Sequence, residues 1–231
     1  MLTPLETVSR EFLSDRVANI LRKKVILGEM PKGLHLNETK LAEQLVVSRG
    51  SIRGAIQILE GEGLVYTPAN GRTIVEGLSA GDVIGFFEAR IALESHAIRT
   101  IVQSHLNKNV NQLEELLIEM KGADDIATNA RLDVEFHYRI VQHSGNRTLL
   151  KLWSVLRGPT TTLIEISSDI IYDRLRSIPN VHSDIVRAIK AGKDKRAVKL
   201  LEQHLRAGAE IIASYLGERI KATETPVLSG V

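Results

Sequence analysis

Residues 47–65, V-S-R-G-S-I-R-G-A-I-Q-I-L-E-G-E-G-L-V, constrain the fold more than any other stretch of the chain. Ser48 is a helix N-cap residue whose hydroxyl can take an orphan backbone N–H of the first turn. Ile52, Ala55, Ile56 and Leu59 follow at helical spacing, so one face of this helix is buried. The opposite face carries Arg49, Arg53 and Gln57 at successive i,i+4 steps, with Ser51 beside them and no acid before Glu60. A short helix with such a basic, hydrogen-bonding face suits a DNA major groove, where guanine N7 and O6 accept an arginine fork in pairs.

The flanking residues complete a recognisable unit. Asn37 can cap a helix through Leu41, Ala42 and Leu45, and Val46-Val47 then forms a short turn into Ser48. That is helix-turn-helix spacing, with residues 49–61 as the reading helix. Gly61 and Gly63 end that helix. Leu64 to Tyr66 and Thr73 to Val75 read as two strands around P-A-N-G, where Asn70-Gly71 suits a tight hairpin turn. Arg72 near the hairpin tip could reach a phosphate or a neighbouring groove. An earlier helix is expected over residues 10–27, with Leu13, Val17, Ile20, Leu21 and Ile26 on its buried side, ended by Gly28 and Pro31. Leu34 to Leu36 offers a short third strand, in which His35 has no chemistry.

The run L-A-E-x-L-x-V-S-R-x-x-x-R-x-A-I-x-x-L-E-x-E-G-L-V, followed by G-R-T, resembles the winged helix-turn-helix of GntR-family bacterial transcription regulators. The resemblance implies that Arg49 and Arg53 contact DNA, with the Asn70, Gly71, Arg72 wing tip contributing. The chain departs from the usual pattern at Gly50-Ser51, at Gly54 and at Thr39.

At 231 residues and 43% hydrophobic composition, the chain is long and apolar enough for two modest domains. It has no cysteine, which excludes disulfides and thiolate metal sites. No apolar run is long enough for a bilayer, and the N-terminus lacks the charged start and apolar core of a signal peptide, so a cytoplasmic protein with no membrane partner is expected. Aromatic residues are only 4%, too few for the stacking platforms of single-strand binders.

The expected fold class is mostly α. Residues 1–76 form the winged helix-turn-helix (three helices plus a small β-wing), 77–82 a linker, 83–221 an all-α antiparallel helical bundle, and 222–231 a disordered tail. Within the second part, and just before it, helices are expected at about 80–105, 109–121, 124–144, 147–172 with a break at Gly158-Pro159, 179–191 and 194–217. Ser79 and Asp82 have capping-box spacing at the first of these.

Polar residues on the inward faces of this bundle carry its chemistry. Asp133 and His137, at i and i+4, lie on or beside the stripe Ile126, Ala130, Val134, Ile140, Val141. His182 shares a face with Ile185 and Ile189, and His204 sits within Ala197, Leu201, Gly208, Ile211 and Tyr215. Burying a carboxylate and several imidazoles unpaired is costly, so the four are expected to meet, with a cation as their simplest common partner. Three histidines and one aspartate suit zinc first, with nickel, iron or manganese as alternatives, and do not suit calcium. The plainer reading is that each histidine is a hydrogen-bonded core residue. His96, His105 and His143 are not expected to be ligands.

Asp133-x-x-x-His137 followed by Ser-Gly145-Asn146, then His182-x-x-I-x-x-A-I-x-x-G192, then His204, resembles the metal-binding, all-helical ligand-sensing (FCD) domain of FadR-type GntR regulators. The resemblance implies that Asp133, His137, His182 and His204 bind a divalent metal and that a small carboxylate metabolite binds at or near it. Arg90, in F-F-E-A-R-I-A-L-E, could clamp the effector carboxylate or could form an i,i+4 ion pair with Glu94. Asn146 starts a helix or turn and could face the same pocket. The expected protein is a bacterial transcription regulator, a repressor, binding palindromic double-stranded operator DNA as a homodimer with half-sites ~10 bp apart. Two rivals stand beside it: a metal-dependent hydrolase, and a DNA-binding protein whose metal is only structural.

Overall fold

The computed structural model describes residues 10–69, 71–106, 110–123, 125–167 and 181–224. The chain divides into two compact units, Met1–Leu78 and Ser79–Val231. Among the described residues, the first unit contains α1 (Arg10–Ile26), α2 (Glu38–Leu45), α3 (Arg49–Gly61), β1 (Val65–Tyr66) and β2 (Ile74–Val75).

The core of this unit joins Val17, Leu21 and Val25 of α1 to Ile52, Ala55 and Leu59 of α3, with Leu41, Leu64 and Val75 around them. Removing each of these valine, leucine and isoleucine side chains from water stabilises by roughly 1.5–3 kcal/mol. Gly54 permits the close fit of α1 on α3, since a Cβ there would lie 2.5 Å from the Ser14 hydroxyl oxygen. The α1 face differs from the sequence expectation: Leu13 and Ile20 are 40% and 44% exposed, and Ala18, Val25 and Arg22 are buried instead. Arg22 donates through Nε and Nη2 to the two oxygens of Glu62, both at 2.7 Å, and also to Asn19, so the end of α1 is clipped to the C-cap of α3.

The turn between α2 and α3 is tight and carries an unusual residue. Asn37 caps α2 by accepting the Lys40 N–H at 3.0 Å, and Ser48 caps α3 by accepting the Ser51 N–H at 3.1 Å. Between them Val46 takes left-handed backbone angles, φ 53° and ψ 47°, with its side chain 90% exposed. A β-branched residue is disfavoured there, because its Cβ crowds the following carbonyl.

β1 and β2 pair antiparallel with Val65 opposite Val75 and Tyr66 opposite Ile74. Leu34–Leu36 does not form a full third strand. It contributes one isolated bridge, His35 to Ile74, held by Leu36 N–H to Thr73 O and Val75 N–H to Leu34 O, both at 2.9 Å. The wing tip closes with Gly71 N–H donating to Pro68 O at 2.9 Å, and Gly71 adopts φ 75°. Asn70 lies outside the described residues.

Among the described residues the second unit is helical: α4 (Ala80–Gln103), α5 (Asn111–Gly122), α6 (Ile126–His143), α7 (Arg147–Ile166), α8 (Val181–Lys190) and α9 (Asp194–Glu224). The Ser79–Asp82 capping box opens α4, with aspartate doing what glutamate usually does. α4 and α9 run antiparallel, for Gly208 stands against Phe87 and Gly217 against Ala80.

Two expectations are corrected here. α7 is not broken at Gly158-Pro159 but passes through Pro159, which is buried. The proline removes one helical hydrogen bond at a cost of about 3 kcal/mol, which the burial of Trp153 and Leu163 on the same helix offsets. The last helix continues to Glu224, so residues 222–224 belong to α9 rather than to a tail, while 225–231 lie outside the described residues. The expected continuation of α7 to residue 172 also falls on undescribed residues. The buried stripe of α9 is Ala197, Leu201, Leu205, Ala209, Ile212 and Leu216, which leaves Ile211 and Tyr215 half-buried at its edge. No described helix is long and apolar enough to cross a membrane.

Candidate metal centre and nucleic-acid interface

In the first unit, α3 buries Ile52, Ala55, Ile56 and Leu59 and turns Arg49, Arg53 and Gln57 to solvent. The three polar side chains thus share the exposed face, as their spacing requires. Ser51 is half-buried, and its hydroxyl lies 2.9 Å from that of Ser48. Gly71 and Arg72 are exposed on the wing. An acidic residue nevertheless reaches the face from α2. Arg53 Nε donates to Glu38 Oε2 at 2.8 Å, and Arg49 Nη2 lies 3.8 Å from the same oxygen. Glu38 was not among the residues singled out from sequence, since nothing local to α2 marks it.

In the second unit, Asp133 and His137 of α6, His182 of α8 and His204 of α9 converge, each offering one ligand-type atom with all four atoms within 4.8 Å of one another. One turn of α6 separates the aspartate from the first histidine and puts both on its inner face. His182 Nε2 lies 3.1 Å from Asp133 Oδ1 and His137 Nε2 lies 4.0 Å from Oδ2. The His137 and His204 rings stack at 5.4 Å, and His182 meets His204 edge-on at 4.6 Å. Phe136, fully buried beside them, packs its ring 4.7 Å from that of His182 and walls the site with hydrocarbon.

The electrostatics favour ligand-ready states. Burial acts to raise the Asp133 carboxyl, but the hydrogen bond from His182 and the positive charge that His137, His182 and His204 carry when protonated outweigh it and hold the group well below the usual carboxylate range. Burial, reinforced by the charges of His182 and His137, holds His204 well below the ordinary histidine value, so its ring is neutral at neutral pH despite Asp133. A neutral imidazole and an ionised carboxylate are the forms that bind a divalent ion.

The residues fit such an ion. Among the described residues His137 Nε2 is buried with no hydrogen bond, and His182 Nε2, also buried, has only the Asp133 carboxylate at 3.1 Å, an arrangement that is costly unless another partner joins them. Donor atoms around a tetrahedral ion at ~2.1 Å stand about 3.4 Å apart, so the four atoms, now within 4.8 Å of one another, would draw together by about 1 Å to hold it.

Behind this cluster lies a second layer that the sequence did not reveal. Glu94, fully buried on α4, places Oε2 2.6 Å from His137 Nδ1. Its Oε1 accepts from Trp153 Nε1 at 2.9 Å and from Arg90 Nε at 3.0 Å. Burial works to raise this carboxyl, but the positive charge His137 carries when protonated, the Arg90 guanidinium and the hydrogen bonds from His137 and Trp153 bring it down to about 2. Arg90 is itself 1% exposed, with its guanidinium carbon 5.0 Å from the Phe87 ring centroid and 5.9 Å from that of Trp153. The i,i+4 pair with Glu94 therefore exists, yet Arg90 Nη2 is buried without a hydrogen-bond partner among the described residues.

Asn146 caps α7, its side-chain oxygen accepting the N–H groups of Thr148 and Leu149 at 3.1 Å each. Glu135 faces away from the cluster to Arg139 and Arg157, at 2.6 and 2.5 Å. His96 and His105 are exposed, and His143 Nδ1 lies 2.9 Å from the Arg139 carbonyl oxygen.

A basic-faced helix-turn-helix with a wing, joined to a helical unit built around polar donors, defines a DNA-binding regulatory protein. The chain belongs to the GntR family of bacterial transcription regulators, in the branch that carries a C-terminal FCD domain. The family description "Bacterial regulatory proteins, gntR family" matches residues 13–75, and "FCD domain" matches residues 86–207. The gluconate operon transcriptional repressor of Bacillus licheniformis is 27% identical over 214 residues, covering 88% of this chain and 86% of that protein. The Nta operon transcriptional regulator of Aminobacter aminovorans is 36% identical over 121 residues, 52% of this chain and 58% of its own. The solved structure of Lar, which controls expression of the Listeria monocytogenes agr system, matches 93% of this chain and 100% of its own with a TM-score of 0.63 at 19% identity, and shows the shared fold. The protein is a transcription regulator and not an enzyme.

Proposed function

We propose that this regulator is a repressor whose affinity for a palindromic operator is set by a small organic acid bound at a divalent metal ion, held by Asp133, His137, His182 and His204. The observation that carries the reading is the convergence of one buried carboxylate and three imidazoles within 4.8 Å, with His137 Nε2 left without a hydrogen bond among the described residues. Zinc is the expected ion for this donor set, with nickel, iron or manganese as alternatives. When bound, the ion would supply a positive centre on which a carboxylate oxygen can rest.

The chain's own residues complete the pocket. Arg90, with Nη2 buried and unpartnered among the described residues, would offer the effector a charged donor, and burial strengthens that attraction. Phe136 keeps water from one side of the cluster. In the first unit Arg49, Ser51, Arg53 and Gln57 would read base edges, and Gly71 and Arg72, with Asn70, would hold the adjacent backbone. One such helix reads only a few base pairs, so the protein would act in the cytoplasm as a homodimer on two related half-sites. Effector binding would change operator affinity by a coupling of about 1–3 kcal/mol, and DNA must change effector affinity by the same factor.

The deciding experiment is a thermal-shift panel of hydroxy, dicarboxylic and sugar acids on zinc-loaded and chelated protein in parallel. A ligand at a thousandfold excess over its dissociation constant stabilises by about 4 kcal/mol. Stabilisation that vanishes with the metal supports the reading and supplies the compound for operator titrations. Acids that stabilise loaded and chelated protein equally would remove the metal from the effector site, and a loaded protein indifferent to every acid would leave the ion a structural part of the bundle.

A further inference from the structure

Glu94 touches both halves of the proposed sensor and belongs to neither. It comes from α4, 43 residues before His137, and is fully buried. A buried carboxylate can be satisfied by its arginine alone, and Arg90 Nε already supplies that partner at 3.0 Å. Here the second oxygen is directed elsewhere, to His137 Nδ1 at 2.6 Å.

The chemistry of an imidazole gives this bond a consequence. A neutral ring has one N–H and one bare nitrogen, and an ionised carboxylate can only accept. With Glu94 against Nδ1, the proton must sit on Nδ1, and the lone pair falls on Nε2. That is the nitrogen that stands 4.0 Å from Asp133 Oδ2, buried and without a hydrogen bond among the described residues. The opposite tautomer would point an N–H into the cluster and could not bind an ion. The other oxygen, Oε1, takes the Trp153 indole N–H and Arg90 Nε together, which locks the guanidinium by its inner edge and leaves Nη2 unused among the described residues.

We propose that Glu94 is the positioning residue of the sensor: one oxygen fixes His137 with Nε2 bare for a metal ion, and the other holds Arg90 with Nη2 left for an incoming carboxylate. This rests on the reading of Asp133, His137, His182 and His204 as ligands. Partners of this kind orient a ligating ring and raise its basicity, and their loss typically lowers metal affinity roughly 10–100-fold.

The test uses the full chain and zinc alone. Zinc affinity is measured by competition with a chromogenic chelator for the wild type and for Glu94→Gln, with far-UV circular dichroism and the melting of metal-free protein as folding controls. In parallel, long-range nitrogen–proton NMR on metal-free wild-type protein reads the His137 tautomer directly. The expected results are a roughly 10–100-fold loss of zinc affinity in a folded Glu94→Gln protein, and an Nδ1–H tautomer in the wild type. Zinc affinity within twofold of wild type in folded Glu94→Gln overturns the proposal, as does an Nε2–H ring in the wild type. If Glu94→Gln fails to fold, the wild-type tautomer decides by itself. A wild type that takes up no zinc overturns the ligand assignment first, which separates that failure from failure of Glu94.

Discussion

Val46 stores strain that a single substitution should release. Its left-handed backbone, φ 53° and ψ 47°, costs a β-branched residue about 1–2 kcal/mol, and its 90% exposed side chain recovers little by burial. Its backbone N–H donates to Ala42 O and Glu43 O, and any replacement keeps those bonds. Glycine at this position removes the steric cost but widens the unfolded ensemble, which returns about 0.4–1 kcal/mol. The net gain for Val46→Gly is then roughly 0.5–1 kcal/mol, and for Val46→Asn, which tolerates the left-handed region without the added freedom, about 1 kcal/mol. In a domain of this size such a gain raises the melting temperature by roughly 2–8 °C. The assay is hydrogen exchange on the full chain, following amides of α3 whose exchange requires the first unit to open; protection should rise about two- to fivefold. Unchanged or reduced protection in both variants would refute the strain argument, because neither loses a buried contact.

Four further outcomes are expected. Arg53→Ala should weaken binding to the cognate operator by about 1–3 kcal/mol, measured by fluorescence anisotropy at fixed salt, and equal affinity would end its assignment as a base contact. Because Glu38 shares one oxygen between Arg53 and Arg49, Glu38→Gln should strengthen binding to unrelated DNA and steepen its salt dependence by about one unit; an unaltered salt slope counts against that restraint. Alanine at His182 or at His204 should strip bound metal, read as metal-to-protein stoichiometry by atomic emission, and full stoichiometry in both variants removes them from the ligand set. Glu62 has its carboxyl raised by burial, with the Arg22 hydrogen bond and charge only partly offsetting it. The folded state therefore holds that proton more tightly than the unfolded state, so its contribution is present below pH 4.5 and lost as pH rises through the higher folded value. The stability of the wild type relative to Glu62→Gln should fall with rising pH in that window, and a flat or rising difference in urea titrations would contradict it.

The parts legible in the sequence were those whose cause is local. Ser48 and Asn37 announce their helices because a cap bonds within three residues, and Arg49, Arg53 and Gln57 share a face by helical periodicity alone. Asp133, His137, His182 and His204 could be placed on inward faces by the same reasoning, and the fold brings them together. What escaped depends on which helix lies against which. Glu94 reaches His137 only because α4 packs on α6, and Glu38 reaches Arg53 only across the turn that Val46 closes. Periodicity also misassigned Leu13 and Ile20, since an apolar residue on an exposed helix face reads like one on a buried face. At Pro159 the local rule for helix breaking was overridden by burial, and past residue 217 a polar composition concealed a helix that continues to Glu224.

The indole of Trp153 belongs to the only tryptophan in the chain, and it donates its N–H to Glu94. Its emission is therefore a native optical probe of one carboxylate, with the first unit silent at the same excitation. A change in that emission during a titration of unlabelled protein therefore reports an event in the helical unit.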